Sequence, residues 1–259
     1  MLMANIPPKL IVGNWKMNTT IPEGSLLFSR LIKELTNFTY PEIVICPPYT
    51  HLYALSKELE QSKGPLNIEL GAQNISEYEE GPYTGEISAT MLHNVAKYVI
   101  VGHSERRKFF NESDVVDAKK IQIAVRHGLK SILCVGENKQ ERADGHAKQK
   151  VLDQLNTDLS HITSQETKDI IIAYEPIWSI GTGNFAKPAQ VEEMVWLIHH
   201  NLLEQFGRMA GSKVRVLYGG SVNAENARSY LSIKGVDGLL VGGASLNYKQ
   251  FAKIIRASA

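Results

Sequence analysis

The stretch Leu10-Ile11-Val12-Gly13-Asn14-Trp15-Lys16-Met17-Asn18 is the one on which the fold turns. Its apolar opening is too short for a helix and reads as a buried strand, so the residues after it form a first strand-to-helix turn. An open doubly wound sheet usually carries its phosphate loop at that turn, as G-x-G-x-x-G or G-x-x-x-x-G-K-[ST], because bare backbone amides at a helix start can close on phosphate. Gly13-Asn14-Trp15-Lys16-Met17-Asn18 fits neither pattern. A closed barrel, the other large architecture of alternating elements, is therefore favoured.

Seven further runs of the same kind follow: Ile43-Val44-Ile45, Ile68-Glu69-Leu70, Tyr98-Val99-Ile100-Val101, Ile132-Leu133-Cys134-Val135, Ile170-Ile171-Ile172-Ala173, Val214-Arg215-Val216-Leu217 and Gly238-Leu239-Leu240-Val241. Between them lie amphipathic stretches such as Val191, Met194, Val195, Ile198 and Leu202, which share one helix face at a spacing of about 3.6 residues. Strand and helix are expected to alternate throughout. With right-handed crossovers, about eight such units in about 250 residues make an α/β protein of the closed (β/α)8 barrel type, eight parallel strands surrounded by helices. No low-complexity tract divides the chain, and Gln61-Ser62-Lys63-Gly64-Pro65 reads as a turn before the third strand, so residues 1–259 are expected to form one domain.

Composition excludes several classes. Lys and Arg number 28 against 27 Asp and Glu, so no global field draws nucleic acid or a membrane surface, and a charged ligand must be met locally. Cys46 and Cys134 are the only cysteines and lie in apolar runs, which argues for a reducing compartment and against a disulfide framework or zinc knuckle. The opening Met1-Leu2-Met3-Ala4-Asn5-Ile6-Pro7-Pro8 has no basic and apolar leader pattern, no stretch approaches the ~18–20 apolar residues of a span, and Ala257-Ser258-Ala259 is not a peroxisomal address. A cytoplasmic location is expected.

In a barrel the C-terminal strand ends converge on one face, so residues just after each apolar run are candidates for a shared site. Those residues are Asn14 and Lys16, then Gln73 and Asn74, then His103, Ser104 and Glu105, then Glu175. The last two strands end in Gly219-Gly220-Ser221 and Gly242-Gly243. Residues without Cβ let backbone N–H groups approach an oxyanion, and the last two loops of a barrel, with a short extra helix such as Ala244-Ser245-Leu246 would start, commonly hold phosphate. Simple tight turns are the competing reading. Glu175-Pro176-Ile177-Trp178-Ser179-Ile180-Gly181-Thr182-Gly183-Asn184 is too apolar for an idle surface loop and reads as a lid. Against that stands Trp178 and Ile180 packing on the barrel rim.

Three other motifs fall away. Gly102-His103-Ser104-Glu105-Arg106 lacks the closing glycine of a nucleophile elbow. His199-His200 point about 100° apart on a helix and read as a solvated face, not a metal site. Arg106-Arg107-Lys108 has no interleaved aromatics of the nucleic-acid type and reads as a salt-bridge patch at a helix start.

The motifs together resemble one family along nearly the whole chain. Gly13-Asn14-Trp15-Lys16-Met17-Asn18, Val101-Gly102-His103-Ser104-Glu105-Arg106-Arg107, Ala173-Tyr174-Glu175-Pro176-Ile177-Trp178-Ser179-Ile180-Gly181-Thr182-Gly183, Tyr218-Gly219-Gly220-Ser221-Val222 and Val241-Gly242-Gly243-Ala244-Ser245-Leu246 are similar, in order and spacing, to the triosephosphate isomerases. That resemblance, and not the spacing, implies the TIM barrel and the exchange of dihydroxyacetone phosphate with glyceraldehyde 3-phosphate through an enediol-like intermediate, with no cofactor and no metal. It implies Glu175 as base, His103 as a neutral imidazole on the carbonyl, and Lys16 with Asn14 beside the developing oxyanion. Gly181, Ser221, Gly242 and Gly243 match the family's phosphate contacts, and Ser104 and Glu105 take support roles, Glu105 by orienting Lys16 or as a structural ion pair. A homodimer is implied as well, through the loop Thr84-Gly85-Glu86 within Gly81-Pro82-Tyr83-Thr84-Gly85-Glu86-Ile87-Ser88. The chain departs from the pattern at Asn184-Phe185-Ala186, where many members begin with lysine, in a slightly long leading segment through Lys9, and in a spacer near Lys63-Gly64-Pro65.

Overall fold

The computed structural model describes residues 8–258 apart from 37, 39–40, 63–66 and 182. Eight strands run in chain order: β1 (Leu10–Asn14), β2 (Glu42–Cys46), β3 (Ile68–Ala72), β4 (Tyr98–Val101), β5 (Lys130–Val135), β6 (Ile170–Tyr174), β7 (Arg215–Tyr218) and β8 (Gly238–Val241). Each pairs in parallel with the next, and β8 pairs with β1 to close the barrel. At that seam a Cβ on Gly238 would stand 1.8 Å from the Leu10 carbonyl oxygen, so only glycine permits the closure.

The strands carry continuous apolar runs because both faces are buried. Leu10, Val12, Val44, Cys46, Ile100, Ile132, Cys134, Ile171, Leu217 and Leu240 form one cluster, and their neighbours Ile11, Ile43, Ile45, Val99, Val101, Leu133, Ile172 and Val216 belong to a second that includes the helices. Side chains alternate between two apolar surroundings instead of between core and water. Both cysteines are free and buried.

The helices are α1 (Ile21–Glu34), α2 (Tyr49–Gln61), α3 (Ser104–Phe109), α4 (Asp114–Arg126), α5 (Lys139–Ala143), α6 (Ala147–Asp158), α7 (Pro188–Phe206), α8 (Arg208–Gly211), α9 (Ala227–Leu231) and α10 (Tyr248–Arg256). In α7, Val191, Met194, Val195, Ile198 and Leu202 are all buried, as their spacing requires. Thr20 and Glu23 form a capping box that starts α1. Among the described residues no helix is long and apolar enough to cross a membrane.

Alternation fails once. Between β3 and β4 the described chain has only a short 3-10 turn, Thr90–Leu92. The segment holds Gly81 and Gly85 at positive φ and Pro82, which interrupt a helix, and it folds on itself through Tyr78 stacked on Tyr83 at 3.9 Å. The basic run also sits elsewhere than expected: α3 ends at Phe109, which puts Arg106-Arg107-Lys108 in its last turn, where cations complement the helix dipole. Of the paired histidines, His200 is solvated beside Glu204, whereas His199 is half-buried and within hydrogen-bond distance (2.9 Å) of the Gly235 carbonyl. The leading residues 1–7 and the spacer at Lys63-Gly64-Pro65 lie outside the described residues.

Candidate active site

Three strand ends build the reactive half of one cavity of about 410 Å³, with Asn14 and Lys16 from the end of β1, His103 from that of β4 and Glu175 from that of β6 in its wall. Lys16 follows β1 in the left-handed region (φ +54°), a conformation that costs a non-glycine residue free energy and persists only when its surroundings enforce it. Here they do. Asn14 Oδ1 accepts the Lys16 N–H (3.0 Å), and Gln73 Nε2 donates to the carbonyls of Lys16 and Cys46, each at 2.9 Å. The turn thereby holds the Lys16 ammonium across the cavity mouth, 2.5 Å from Glu105 Oε1.

His103 follows β4. Its Nδ1 accepts the N–H of Glu105 (3.2 Å), so in the neutral ring the proton lies on Nε2. Nε2 is 3.3 Å from Glu175 Oε1, and the other oxygen of that carboxylate accepts the Ser104 N–H at 3.2 Å. Glu175 follows β6 and is buried. Two glycines make room for it: a Cβ on Gly219 would be 3.0 Å from Glu175 Cγ, and one on Gly136 would be 1.8 Å from the Glu175 carbonyl oxygen.

The other half of the cavity is largely backbone. Gly181, Ser221, Gly242 and Gly243 line it, and a Cβ on Gly243 would meet nothing within 4 Å, so bare main chain faces the space. Gly243–Leu246 forms a 3-10 turn where a short extra helix was expected. Main-chain amides, the Lys16 ammonium and a hydroxyl suit an anionic group at this end. Asn14, Lys16, Gly181, Ser221, Gly242 and Gly243 are thus brought together with His103 and Glu175, while Ser104 and Glu105 contact Glu175 and Lys16 without lining the cavity.

The loop after Glu175 divides between its two readings. Trp178 packs on the core rim and donates through Nε1 to Glu137 Oε1 (2.7 Å), whereas Ile180, Gly181 and Phe185 face the cavity. Thr182 lies outside the described residues. Glu137, which follows β5, was missing from the candidate strand ends; it is fully buried and also accepts from Tyr174 and from Arg142 (2.6 Å). Its place immediately after an apolar run was the available signal.

Behind the site Arg107 forms a buried ionic cluster. Its guanidinium pairs with Asp114, with Asp117 (3.1 Å) and with Asp158 (2.8 Å). Burial pushes Asp158 up to about 8 and Asp117 up to about 6 against the pull of Arg107. Burial likewise raises the Cys46 and Cys134 thiols, which keeps both unreactive as nucleophiles.

A closed parallel barrel with a lysine, a histidine and a carboxylate at its C-terminal mouth, opposite a glycine-lined wall, defines the class: a (β/α)8-barrel protein with a site for a small anionic ligand. Residues 9–258 match the family described as Triosephosphate isomerase. The chain is 42% identical over 249 residues to the triosephosphate isomerase of Carboxydothermus hydrogenoformans, covering 96% of this chain and 98% of that one. It is 42% identical over 250 residues to that of Dictyoglomus thermophilum (96% and 99% covered) and 43% identical over 248 residues to that of Aquifex aeolicus (95% and 98% covered). The chain belongs to the triosephosphate isomerase family.

Proposed function

We propose that this protein interconverts dihydroxyacetone phosphate and D-glyceraldehyde 3-phosphate, a step of glycolysis and gluconeogenesis. The observation that carries the reading is the Glu175 carboxylate beside His103 Nε2 in a cavity closed at its far end by glycine backbone. Glu175 takes a proton from the carbon next to the carbonyl, and the electron pair left behind forms the enediolate double bond as the carbonyl oxygen becomes an oxyanion. His103 donates its Nε2 proton to that oxygen and recovers one from the neighbouring hydroxyl. Glu175 then returns its proton to the adjacent carbon. Lys16 and Asn14 stabilise the oxyanion, and a positioned base of this kind contributes ~10²–10⁴-fold. Ser221 and the backbone of Gly181, Gly242 and Gly243 hold the phosphate.

Glu105 orients Lys16, and Ser104 holds Glu175 until substrate arrives. The protein works in the cytoplasm as a homodimer, the loop at Thr84-Gly85-Glu86 inserting beside the partner's Asn14 and Lys16. Exposure of Met17 next to that site favours a covering partner, which sedimentation equilibrium tests.

The alternative, a barrel that binds a sugar phosphate without turnover, gives no reason for a buried base facing the cavity. A coupled assay for glyceraldehyde 3-phosphate conversion, run beside Glu175→Gln, decides between them. Wild-type protein that binds phosphoglycolate but turns nothing over supports the binder.

A further inference from the structure

The turn that carries Lys16 is strained at two places. Among the described residues four non-glycine residues have positive φ, and two of them, Lys16 at +54° and Thr19 at +72°, stand three positions apart here. Thr19 is the costlier of the two, because a β-branched side chain crowds its own backbone in the left-handed region. Within the protomer the turn has little packing of its own to offset this, since Met17 and Asn18 are both exposed. Asn14 and Gln73 hold the Lys16 end, and the Thr19 end needs a hold of its own.

His51, in the first turn of α2, supplies it. The residue is only 2% exposed and does not line the cavity. The Thr19 hydroxyl donates to the Asn18 carbonyl, so at 3.1 Å it accepts from His51 Nε2, and the bare Nδ1 accepts from the Thr50 hydroxyl at 2.9 Å. The same ring meets Trp15 edge to face, 6.5 Å between centroids and 86° between planes. One imidazole thus touches residues on both sides of Lys16. Gly24 of α1 makes room for it: a Cβ there would stand 2.3 Å from His51 Cδ2, so the helix carries a glycine in its interior at some cost to its own stability.

We propose that His51 is a positioning residue for Lys16: by holding Thr19 in its left-handed conformation it fixes the turn 15–19 and keeps the ammonium at the cavity mouth. This rests on the isomerase reading above. Without the Nε2 bond Thr19 relaxes toward an extended or right-handed backbone, the chain changes direction three residues from Lys16, and the ammonium moves out of register with the developing oxyanion. The strain makes the role specific. A glycine at position 19 adopts the same φ without steric cost and has no need of the histidine.

Thr19→Val keeps the branched side chain and deletes the hydroxyl, whereas Thr19→Gly deletes the strain as well. In Thr19→Val and in His51→Phe, kcat is expected to fall about tenfold and hydrogen–deuterium exchange over 15–20 to become about tenfold faster than in wild type. Thr19→Gly alone, and the double variant His51→Phe with Thr19→Gly, are expected to keep kcat within about twofold of wild type. Full kcat in His51→Phe, or a loss there that Thr19→Gly does not rescue, overturns the proposal, including where the melting temperature falls, because a histidine that only packs α2 against α1 gives that result. If His51→Phe does not fold, equal kcat in Thr19→Val and Thr19→Gly overturns it instead. If wild type shows no isomerisation the isomerase reading fails, and the exchange comparison still decides whether His51 holds the turn.

Discussion

Glu175 and His103 meet directly: Oε1 of the carboxylate lies 3.3 Å from Nε2 of the imidazole, while Oε2 accepts the Ser104 N–H. The proposed base and proton donor thus lie against each other, and the carboxylate is held by a backbone amide. Shortening it by one methylene withdraws the oxygens by about 1 Å from near-attack geometry. Glu175→Asp is expected to bind phosphoglycolate as wild type does and to lose ~10²-fold or more in kcat. Steady-state kinetics with glyceraldehyde 3-phosphate checks this, and an unchanged kcat removes Glu175 from its role.

Lys16 is fixed in a left-handed conformation by Asn14 and Gln73 and paired with Glu105. Lys16→Met preserves most of the volume and deletes the charge proposed to stabilise the developing oxyanion. A loss of ~10²–10³-fold in kcat is expected, the range seen when one preorganised donor is removed. Glu105→Gln keeps an acceptor within reach of Lys16 and should cost far less. Equal losses in the two variants would make Glu105 more than an orienting group.

Gly219 is the one of the two glycines around Glu175 that meets its side chain, since an added methyl would lie 3.0 Å from Glu175 Cγ. Gly219→Ala should displace the carboxylate by a few tenths of an ångström and lower kcat by ~10-fold with little change in melting temperature, because misplacement costs catalysis more than it costs folding. A crystal structure of the variant with Glu175 unmoved, together with full activity, would falsify this account of the glycine.

The Arg107 cluster predicts a pH dependence of stability. Asp158 has its folded-state pKa raised to about 8 from an ordinary value of 3.8, chiefly by burial. Between roughly pH 4 and 8 the native state then holds a proton that the unfolded chain has released, so this group's stabilisation, complete below its ordinary value, is lost as pH rises. Asp158→Asn cannot ionise and lacks that slope. Thermal denaturation of both proteins across this range should show wild type losing stability relative to the variant with rising pH, with a melting-temperature gap of ~5 °C by pH 8. Parallel pH profiles would show that Asp158 ionises normally in the fold.

Much of the site was legible before any coordinates, for a physical reason. A buried parallel strand announces itself as a short apolar run, and in a barrel the residue after each run is carried to the common mouth, so Asn14, Lys16, His103 and Glu175 could be picked out by position. The same rule reached the glycines at Gly219 and Gly242 and would have reached Glu137 after β5. The missing helix between β3 and β4 was less legible, because only Gly81, Pro82 and Gly85 mark it locally and a crossover needs no helix to bring the next strand into register.

The sequence by itself determined the closed parallel barrel, the residues at its mouth and the family, since these rest on local patterns and motif order. Only the tertiary structure decided how those residues meet. Ser104 and Glu175 stand 71 positions apart, and Tyr230 and Ala186 44 apart, and no periodicity records such contacts. Whether Arg107 is a surface cation or the counterion of buried aspartates, and which nitrogen of His103 carries its proton, depends on which backbone and side-chain groups barrel closure brings within hydrogen-bond distance.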